Sequence, residues 1–131
     1  MSDPRQATDS VQALTAAVEA FVAEREWEPF HDVKNLAIAL SVEAGELLEH
    51  VQWRGGAEIE AALAEDPDRR RRFEGELGDV FMCLLGLCAR MNVDPGEALL
   101  RKLEETARKY PVDRSRGKAA KYSELDGPSG D

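Results

Sequence analysis

Apolar side chains recur along this chain at the three- and four-residue spacing that places them on one face of a helix. The first such stretch has apolar residues at Val11, Leu14, Val18, Phe21 and Val22. Asp9 and Ser10 precede it, and both are residue types that cap helix N-termini. Because Pro29 cannot continue a helix, the pattern predicts a first helix that ends near Trp27.

A second helix is predicted from about Asp32 to Trp53. Its apolar stripe consists of Leu36, Leu40, Leu47 and Val51. The pair Gly55-Gly56 is expected to stop this helix, because glycine commonly follows the last helical turn. Residues 57–65 are predicted to form either a short helix or a structured loop.

Asp66 followed by Pro67 is the pattern of an N-cap and a first-turn proline, so a third helix is predicted to begin there. From Val80 to Ala89 this helix is apolar on nearly every side, which is typical of a central helix or of one at a subunit interface. Asp94-Pro95 repeats the start signal, and Pro111 ends the fourth predicted helix.

Since no segment alternates convincingly between apolar and polar positions, no strands are predicted. A length of 131 residues suits one domain. We therefore predict an all-α four-helix bundle over residues 1–125, with a disordered tail at residues 126–131.

The overall charge narrows the class of partner. With 26 acidic and 17 basic residues the net charge is −9, the opposite of what duplex DNA or an anionic membrane attracts. The apolar stretch from Val80 to Ala89 is also too short to span a bilayer. Cys83 and Cys88 both lie in that stretch and are interpreted as buried, reduced thiols of a cytoplasmic protein.

Two pairs of carboxylates stand out because of their spacing on the predicted helices and the apolar neighbours of Glu43 and Asp79. Glu43 and Glu46 are three residues apart on the second helix, and Glu76 and Asp79 are three apart on the third. That spacing places both carboxylates of a pair on one helix face. Glu43 falls within the apolar stripe of its helix, and buried carboxylates need cations or must become neutral.

Four carboxylates on two packed helices would form an oxygen-only metal site. Mg²⁺ prefers such ligands, and Mn²⁺ is an expected substitute, whereas Zn²⁺ favours His or Cys. A di-iron bundle would need Glu-x-x-His on two helices. Here His50 lies four residues after Glu46, and no second helix supplies a histidine, so the di-iron interpretation is disfavoured.

At this point the sequence resembles the MazG-like all-α nucleotide pyrophosphohydrolases, and most closely their dCTP pyrophosphatase branch. The resemblance covers about residues 10–125 and rests on several segments in order. They are the segment from Glu24 to His31, Asn35-Leu36, Glu43-Ala-Gly-Glu46-Leu47, Gln52-Trp53, Glu76-Leu-Gly-Asp79-Val80, Lys109-Tyr110-Pro111 and Lys121-Tyr122.

The resemblance implies magnesium-dependent hydrolysis of a dNTP, with dCTP or a modified cytosine nucleotide favoured, to dNMP and pyrophosphate in nucleotide-pool house-cleaning. It also implies a homotetramer built as a dimer of dimers. Two departures bear on this. Relatives often carry Asn at the position of Thr106, which affects a phosphate or metal contact. Many carry Tyr at the position of Cys83, which affects base specificity.

The expected site therefore has three groups of residues. The metal ligands are Glu43, Glu46, Glu76 and Asp79, and one of Glu43 or Glu46 is the candidate general base, with the choice between them open. Substrate contacts are expected from His31, Lys34, Asn35, Trp53, Cys83, Lys109, Tyr110 and Lys121. Lys109 and Lys121 lie in a basic segment whose charge contrasts with the acidic remainder of the chain.

Two alternatives stay open on the sequence. One is a broad-specificity or dUTP-preferring dNTPase on the same fold. The other is a non-catalytic helical interaction protein in which the acidic pairs are vestigial.

Overall fold

The computed structural model describes residues 10–125, and every regular element in that range is helical. The helices are α1 (Val11–Glu24), α2 (Val33–Glu49), α3 (Gly56–Glu65), α4 (Pro67–Arg90), α5 (Pro95–Lys109), α6 (Val112–Ser115) and α7 (Tyr122–Leu125), with a 3-10 turn at Glu28–Phe30. The all-α prediction is confirmed. Asp9 and the tail at 126–131 lie outside the described residues.

Side-chain caps begin the helices where the sequence places them. Ser10 Oγ accepts a hydrogen bond from the backbone N–H of Ala13 at 3.1 Å, and Asp32 Oδ1 accepts one from that of Asn35 at 2.7 Å. Asp66 Oδ1 accepts from two backbone N–H groups of α4, at 3.1 and 3.0 Å. Each cap satisfies donors that have no partner within the helix.

The end of α2 differs from the prediction. The helix ends at Glu49 rather than Trp53, because the N–H groups of Val51 and Gln52 both donate to the carbonyl oxygen of Leu48 and turn the chain. Gly55, with a φ of −68°, is the N-cap of α3 instead of a stop signal for α2. Residues 57–65 thus take the helical alternative.

The chain divides into two compact units, one ending at Asp94 and the other beginning at Pro95. In the first unit, α4 is the central helix, and α2, α1 and α3 all pack against it. The interpretation of α4 as a central helix is confirmed. The second unit contains α5, α6 and α7; the last two have four residues each, too few to leave a periodic signal.

Burial within the described chain is sparse. The buried apolar residues are Leu36, Cys83 and Leu85, and Leu85 is only 2% exposed. By contrast, Leu77, Phe81 and Leu84 are each at least 40% exposed, although they recur at helical spacing along α4. Among residues 10–125, no helix combines the length and apolar character that crossing a membrane requires.

The Asp66 cap predicts a pH dependence of stability. Hydrogen bonds from the backbone of Arg69 and then Asp68 outweigh desolvation and lower the pKa of Asp66 below its ordinary 3.8. A carboxyl group whose pKa is lower in the folded state stabilises the fold fully when the pH is above its ordinary, unfolded-state pKa. This stabilisation is lost as the pH falls through the folded-state pKa. Asp66→Asn keeps a capping oxygen but no titrating group. We expect wild type to exceed this variant in Tm at pH 7, and the difference to shrink as the pH falls below the ordinary pKa of 3.8. A constant difference in thermal melts across that range would contradict this role.

Candidate active site

The packing of α2 against α4 brings together three of the four predicted carboxylates. Glu43 and Glu46 extend from α2, and Glu76 extends from α4. One carboxylate oxygen of each lies within 4.8 Å of the corresponding oxygens of the other two. Side chains from two helices therefore converge on a volume of the size that one cation occupies with its ligands.

The electrostatics of this group disfavour negative charge. Burial, the hydrogen bond and charge of Glu46, and the charges of Asp79 and Glu76 together raise the pKa of Glu43 above its ordinary 4.5. Like charges and desolvation both penalise the ionised form of a carboxyl group. Proteins hold such a group of carboxylates ionised by placing a cation among them.

Two orphaned atoms point to the same conclusion. Glu43 Oε2 and Glu76 Oε2 are buried and have no hydrogen-bond partner. A buried oxygen without a partner is destabilising unless something coordinates it. Because every donor in the group is a carboxylate oxygen, the residues fit a hard divalent cation such as Mg²⁺.

Asp79 does not join the three-carboxylate group, although sequence reasoning places it there. It lies one turn after Glu76, and its charge contributes to the raised pKa of Glu43. Its charge also acts on Cys83, whose thiol pKa is raised by burial first, then by Glu43 and Asp79. Asp79 is thus close enough to belong to the same acidic environment, and its role as a metal ligand stays a prediction.

Sequence reasoning missed His50. Its Nε2 atom lies 3.5 Å from Oε1 of Glu76, and its ring packs edge-on against Phe73 at 5.9 Å. The signal was present in the four-residue spacing from Glu46, which places His50 one turn further along the same face of α2. On the sequence alone, this spacing argues only against a di-iron site.

A cavity of about 350 Å³ lies elsewhere in the first unit. Its lining combines an apolar wall with a few polar groups: Val18, Glu19, Val22, Glu28, His31, Leu36, Gly86, Ala89 and Arg90. The His31 ring is tilted by 38° against the ring of Trp27, with centroids 6.1 Å apart. Of the sequence-predicted substrate residues, this cavity includes His31 alone.

Leu36 and Gly86 relate the cavity to the carboxylates. A Cβ atom built on Gly86 would lie 3.7 Å from Leu36 Cδ2, so these two residues face each other between α2 and α4. Leu36 precedes Glu43 by seven residues, and Gly86 follows Asp79 by seven. The cavity therefore lies roughly 10 Å from the carboxylates along the shared helix axes.

The other predicted substrate residues of the first unit have different environments. Asn35 is part of the local structure that begins α2, since its side-chain amide donates to the carbonyl oxygen of Phe30 at 3.1 Å. Lys34 is exposed in the first turn of α2. Trp53 is 84% exposed, so it is not a core residue of this chain, and its large apolar surface is open to a ligand or partner.

The predicted basic and aromatic residues of the second unit form a local cluster. The ring of Tyr110 packs edge-on against that of Tyr122 at 6.1 Å, and its hydroxyl oxygen accepts a hydrogen bond from the backbone N–H of Tyr122. Lys109 Nζ lies 5.1 Å from the centre of the Tyr122 ring. The backbone N–H of Lys121 donates to Glu124. Their contact with substrate stays a prediction.

Comparisons with known proteins place the chain among relatives. The model of the MazG-like family matches residues 38–125. dCTP pyrophosphatase 1 of Rattus norvegicus is 40% identical over 93% of this chain and 69% of its own length. The Homo sapiens protein of the same name is 38% identical over the same shares.

A solved structure gives the same result at the level of the fold. A pyrophosphatase from Archaeoglobus fulgidus superposes with a TM-score of 0.69 and 38% identity, covering 76% of this chain and 91% of that one. The family match spans α4, all the helices of the second unit and most of α2, and it includes all four predicted acidic ligands. The chain belongs to the MazG-like family.

Proposed function

We propose that this chain is a magnesium-dependent nucleoside triphosphate pyrophosphatase that converts a dNTP, with dCTP or a modified cytosine dNTP preferred, to dNMP and pyrophosphate. The observation that carries the proposal is the group formed by Glu43, Glu46 and Glu76, with its two buried, unpartnered oxygens. The similarity to dCTP pyrophosphatase 1 supports the substrate class. Such an enzyme would serve nucleotide-pool house-cleaning in the cytoplasm.

The chemistry is a single displacement at phosphorus. A water oxygen forms a bond to the α-phosphorus, the bond from that phosphorus to the α–β bridging oxygen breaks, and pyrophosphate leaves. Glu43 or Glu46 accepts the proton that the water loses. A divalent cation, when bound by the carboxylates, lowers the pKa of the water and neutralises charge on the phosphates.

The cavity beside Leu36 and Gly86 is our candidate for the nucleobase site. Its volume lies at the lower end of the range for small-molecule sites, and it combines apolar walls with convergent polar groups. Glu28, His31 and Arg90 supply hydrogen-bonding groups for a pyrimidine edge. With the base there, the phosphates would extend along α2 and α4 toward the carboxylates.

Gly86 provides a steric test of this placement. A Cβ atom at Gly86 would meet Leu36 and Val18 at ordinary contact distances of 3.7 and 4.0 Å, so Gly86→Ala should leave activity near wild type. Gly86→Leu places a branched side chain where the cavity lies, and we expect a KM for dCTP at least tenfold higher. Steady-state kinetics on both variants check this. If Gly86→Leu leaves KM unchanged, the base binds elsewhere.

Phosphate contacts are proposed for Lys34, Lys109 and Lys121, because ammonium groups bind phosphate as compact point charges. Asn35, Trp53 and Tyr110 complete the proposed substrate contacts. The cap that Asn35 forms with Asp32 and Phe30 gives it a structural role as well.

Cys83 is the proposed determinant of base selectivity. Cys83 does not itself line the cavity, but it lies one turn before Gly86, which does. It is buried, so a tyrosine at this position would add a ring and a hydroxyl group beside the proposed base site. We expect wild type to discriminate weakly among dCTP, 5-methyl-dCTP, dUTP and dTTP. Cys83→Tyr should change the ranking of kcat/KM several-fold, as for one hydrogen bond of about 1 kcal/mol. An unchanged ranking in a folded, active variant would exclude position 83 from base recognition.

The exposed apolar surface supports assembly into a homotetramer. Leu77, Phe81 and Leu84 form a stripe along one side of the central helix α4, and Val42 and Leu48 of α2 are more than half exposed. Contiguous exposed apolar surface is typical of subunit interfaces. Closed symmetric assemblies are the common way in which identical chains cover such surface.

Product analysis on a panel of substrates tests the proposed function. Each canonical dNTP and 5-methyl-dCTP is incubated with the protein and Mg²⁺, and dNMP, dNDP, pyrophosphate and orthophosphate are quantified. We expect equimolar dNMP and pyrophosphate, fastest with a cytosine nucleotide, and no reaction in EDTA. A preference for dUTP or equal rates would favour the alternative specificities. Absence of any product would favour the non-catalytic alternative.

A further inference from the structure

His50 is not one of the four acidic ligands predicted from the sequence, yet it lies against one of them. It is the C-cap residue of α2, and its backbone N–H donates to the carbonyl oxygens of Leu47 and Leu48. From there its Nε2 atom reaches to 3.5 Å from Oε1 of Glu76, across the α2–α4 interface. Exposures of 23% and 21% place both side chains largely within the protein.

The two oxygens of Glu76 consequently have different surroundings. Oε1 is the oxygen that faces His50. Oε2 is buried without a hydrogen-bond partner, and Glu76 is a member of the three-carboxylate group. A polar contact at Oε1 restrains the rotation of the carboxylate about its terminal bond, and it leaves Oε2 as the oxygen available to a cation.

The imidazole ring is itself held in place. Phe73 lies one turn before Glu76 on α4, and its ring meets the His50 ring edge-on at 87° with centroids 5.9 Å apart. Such aromatic pairs have a preferred geometry that restrains both rings. With its backbone held by the end of α2 and its ring held by Phe73, His50 presents Nε2 to Glu76 in a defined direction.

Neither direct metal ligation nor stabilisation of the fold accounts as well for this arrangement. The ligand atoms of the acidic group lie within 4.8 Å of one another, and no nitrogen of His50 belongs to that set. Polar pairs that lie largely within a protein can often be replaced by apolar residues without loss of folding stability, so stability alone does not call for an imidazole beside Glu76. Residues that orient a metal ligand from outside the coordination sphere have, in contrast, large effects on metal affinity.

We propose that His50 is a positioning residue that orients the Glu76 carboxylate for divalent-cation binding through Nε2. This inference rests on the proposed function, because it assumes that the three-carboxylate group binds a cation.

Two polar variants separate positioning from packing. In His50→Gln, the side-chain amide nitrogen lies at about the reach of Nε2, so the contact with Glu76 is retained. In His50→Asn, the amide is one bond shorter and mimics the Nδ1 position, so the contact is lost. Both variants are neutral and polar at the same C-cap. Glu58→Gln is a control that removes the charge of a more exposed partner, which pairs with Arg54 at 3.8 Å away from the acidic group.

The measurement is Mn²⁺ binding to nucleotide-free protein, followed by electron paramagnetic resonance, with far-UV circular dichroism to verify folding. We expect His50→Asn to weaken Mn²⁺ binding by about tenfold or more. The Mn²⁺ affinities of His50→Gln and of the Glu58→Gln control should remain within about threefold of wild type. In turnover, Asn should raise the Mg²⁺ concentration for half-maximal rate, while kcat at saturating Mg²⁺ remains near wild type.

The outcomes distinguish this inference from the function beneath it. Wild-type Mn²⁺ affinity in a folded His50→Asn protein would overturn the positioning role while leaving the metal site intact. Equal weakening in both His50 variants would also overturn it, since packing rather than the Nε2 contact would then be responsible. If wild type itself binds no Mn²⁺, the proposed metal site and this inference both fail.

Discussion

Replacing Glu43 with Gln is expected to lower kcat for dNTP hydrolysis at least about 100-fold. The substitution keeps the size of the side chain but removes an anionic oxygen from the group that Glu43 forms with Glu46 and Glu76. It also removes one of the two candidates for the general base. Steady-state kinetics at saturating Mg²⁺ and substrate give the comparison with wild type.

Glu74→Gln is the matched control for this experiment. Glu74 lies on α4 two residues before Glu76, but it is exposed and pairs with Arg70 at 2.8 Å. Removing its charge tests whether any loss of acidity near α4 slows the reaction. We expect activity within about twofold of wild type, since surface ion pairs contribute little. Near wild-type kcat in a folded Glu43→Gln protein would mean that the reaction occurs elsewhere.

Placing a charge on the apolar stripe of α4 is expected to dissociate the oligomer. Phe81 is 41% exposed in the single chain and lies between Leu77 and Leu84 on the stripe. If the stripe is buried between copies, Phe81→Asp would leave a carboxylate without a partner in an apolar interface, which is strongly unfavourable. Light scattering at micromolar concentration should give four times the 14.5 kDa chain mass for wild type and a smaller mass for the variant.

Gln12→Asp controls for the added negative charge. Gln12 is exposed in the first turn of α1, where a carboxylate is compatible with the helix dipole. We expect this variant to keep the wild-type mass. A monomeric wild type would refute the tetramer, and a tetrameric Phe81→Asp protein would show that other surfaces form it.

The beginnings of the helices were predictable because their causes are local. Asp66 followed by Pro67 places a capping oxygen and a fixed φ at adjacent positions, and α4 begins there. The position of Glu43 in an apolar stripe likewise predicts that α2 presents a carboxylate to the helix against which it packs, which is α4. In both cases a few adjacent residues contain the necessary information.

The end of α2 and the contacts of His50 depend on interactions beyond that range. The pair Gly55-Gly56 is compatible with stopping one helix or with starting another. Because the turn at Leu48 already ends α2, the glycines start α3. Which side chain of α4 would face His50 depends on how the two helices are aligned along their axes. A periodic pattern specifies the face that packs but leaves this alignment undetermined.

The cavity shows a similar limit. His31 was predicted to contact substrate, but Glu28, Gly86 and Arg90 have no signal of their own in the sequence. Arg90 lies 62 residues after Glu28 in the sequence, yet the Arg90 guanidinium donates a hydrogen bond to the carbonyl oxygen of Glu28 at 3.5 Å. Glu28, Gly86 and Arg90 line one cavity only because α1 and the 3-10 turn lie next to α4 in the folded chain.

The fate of the oxygen atom from water during a single turnover tests hydrolysis at the α-phosphorus most directly. The wild-type protein is mixed with dCTP and Mg²⁺ in ¹⁸O-labelled water, and the products are analysed by mass spectrometry. Attack at the α-phosphorus predicts one ¹⁸O atom in dCMP and none in pyrophosphate. Label in pyrophosphate, or formation of dCDP with labelled orthophosphate, would contradict hydrolysis at the α-phosphorus by this site.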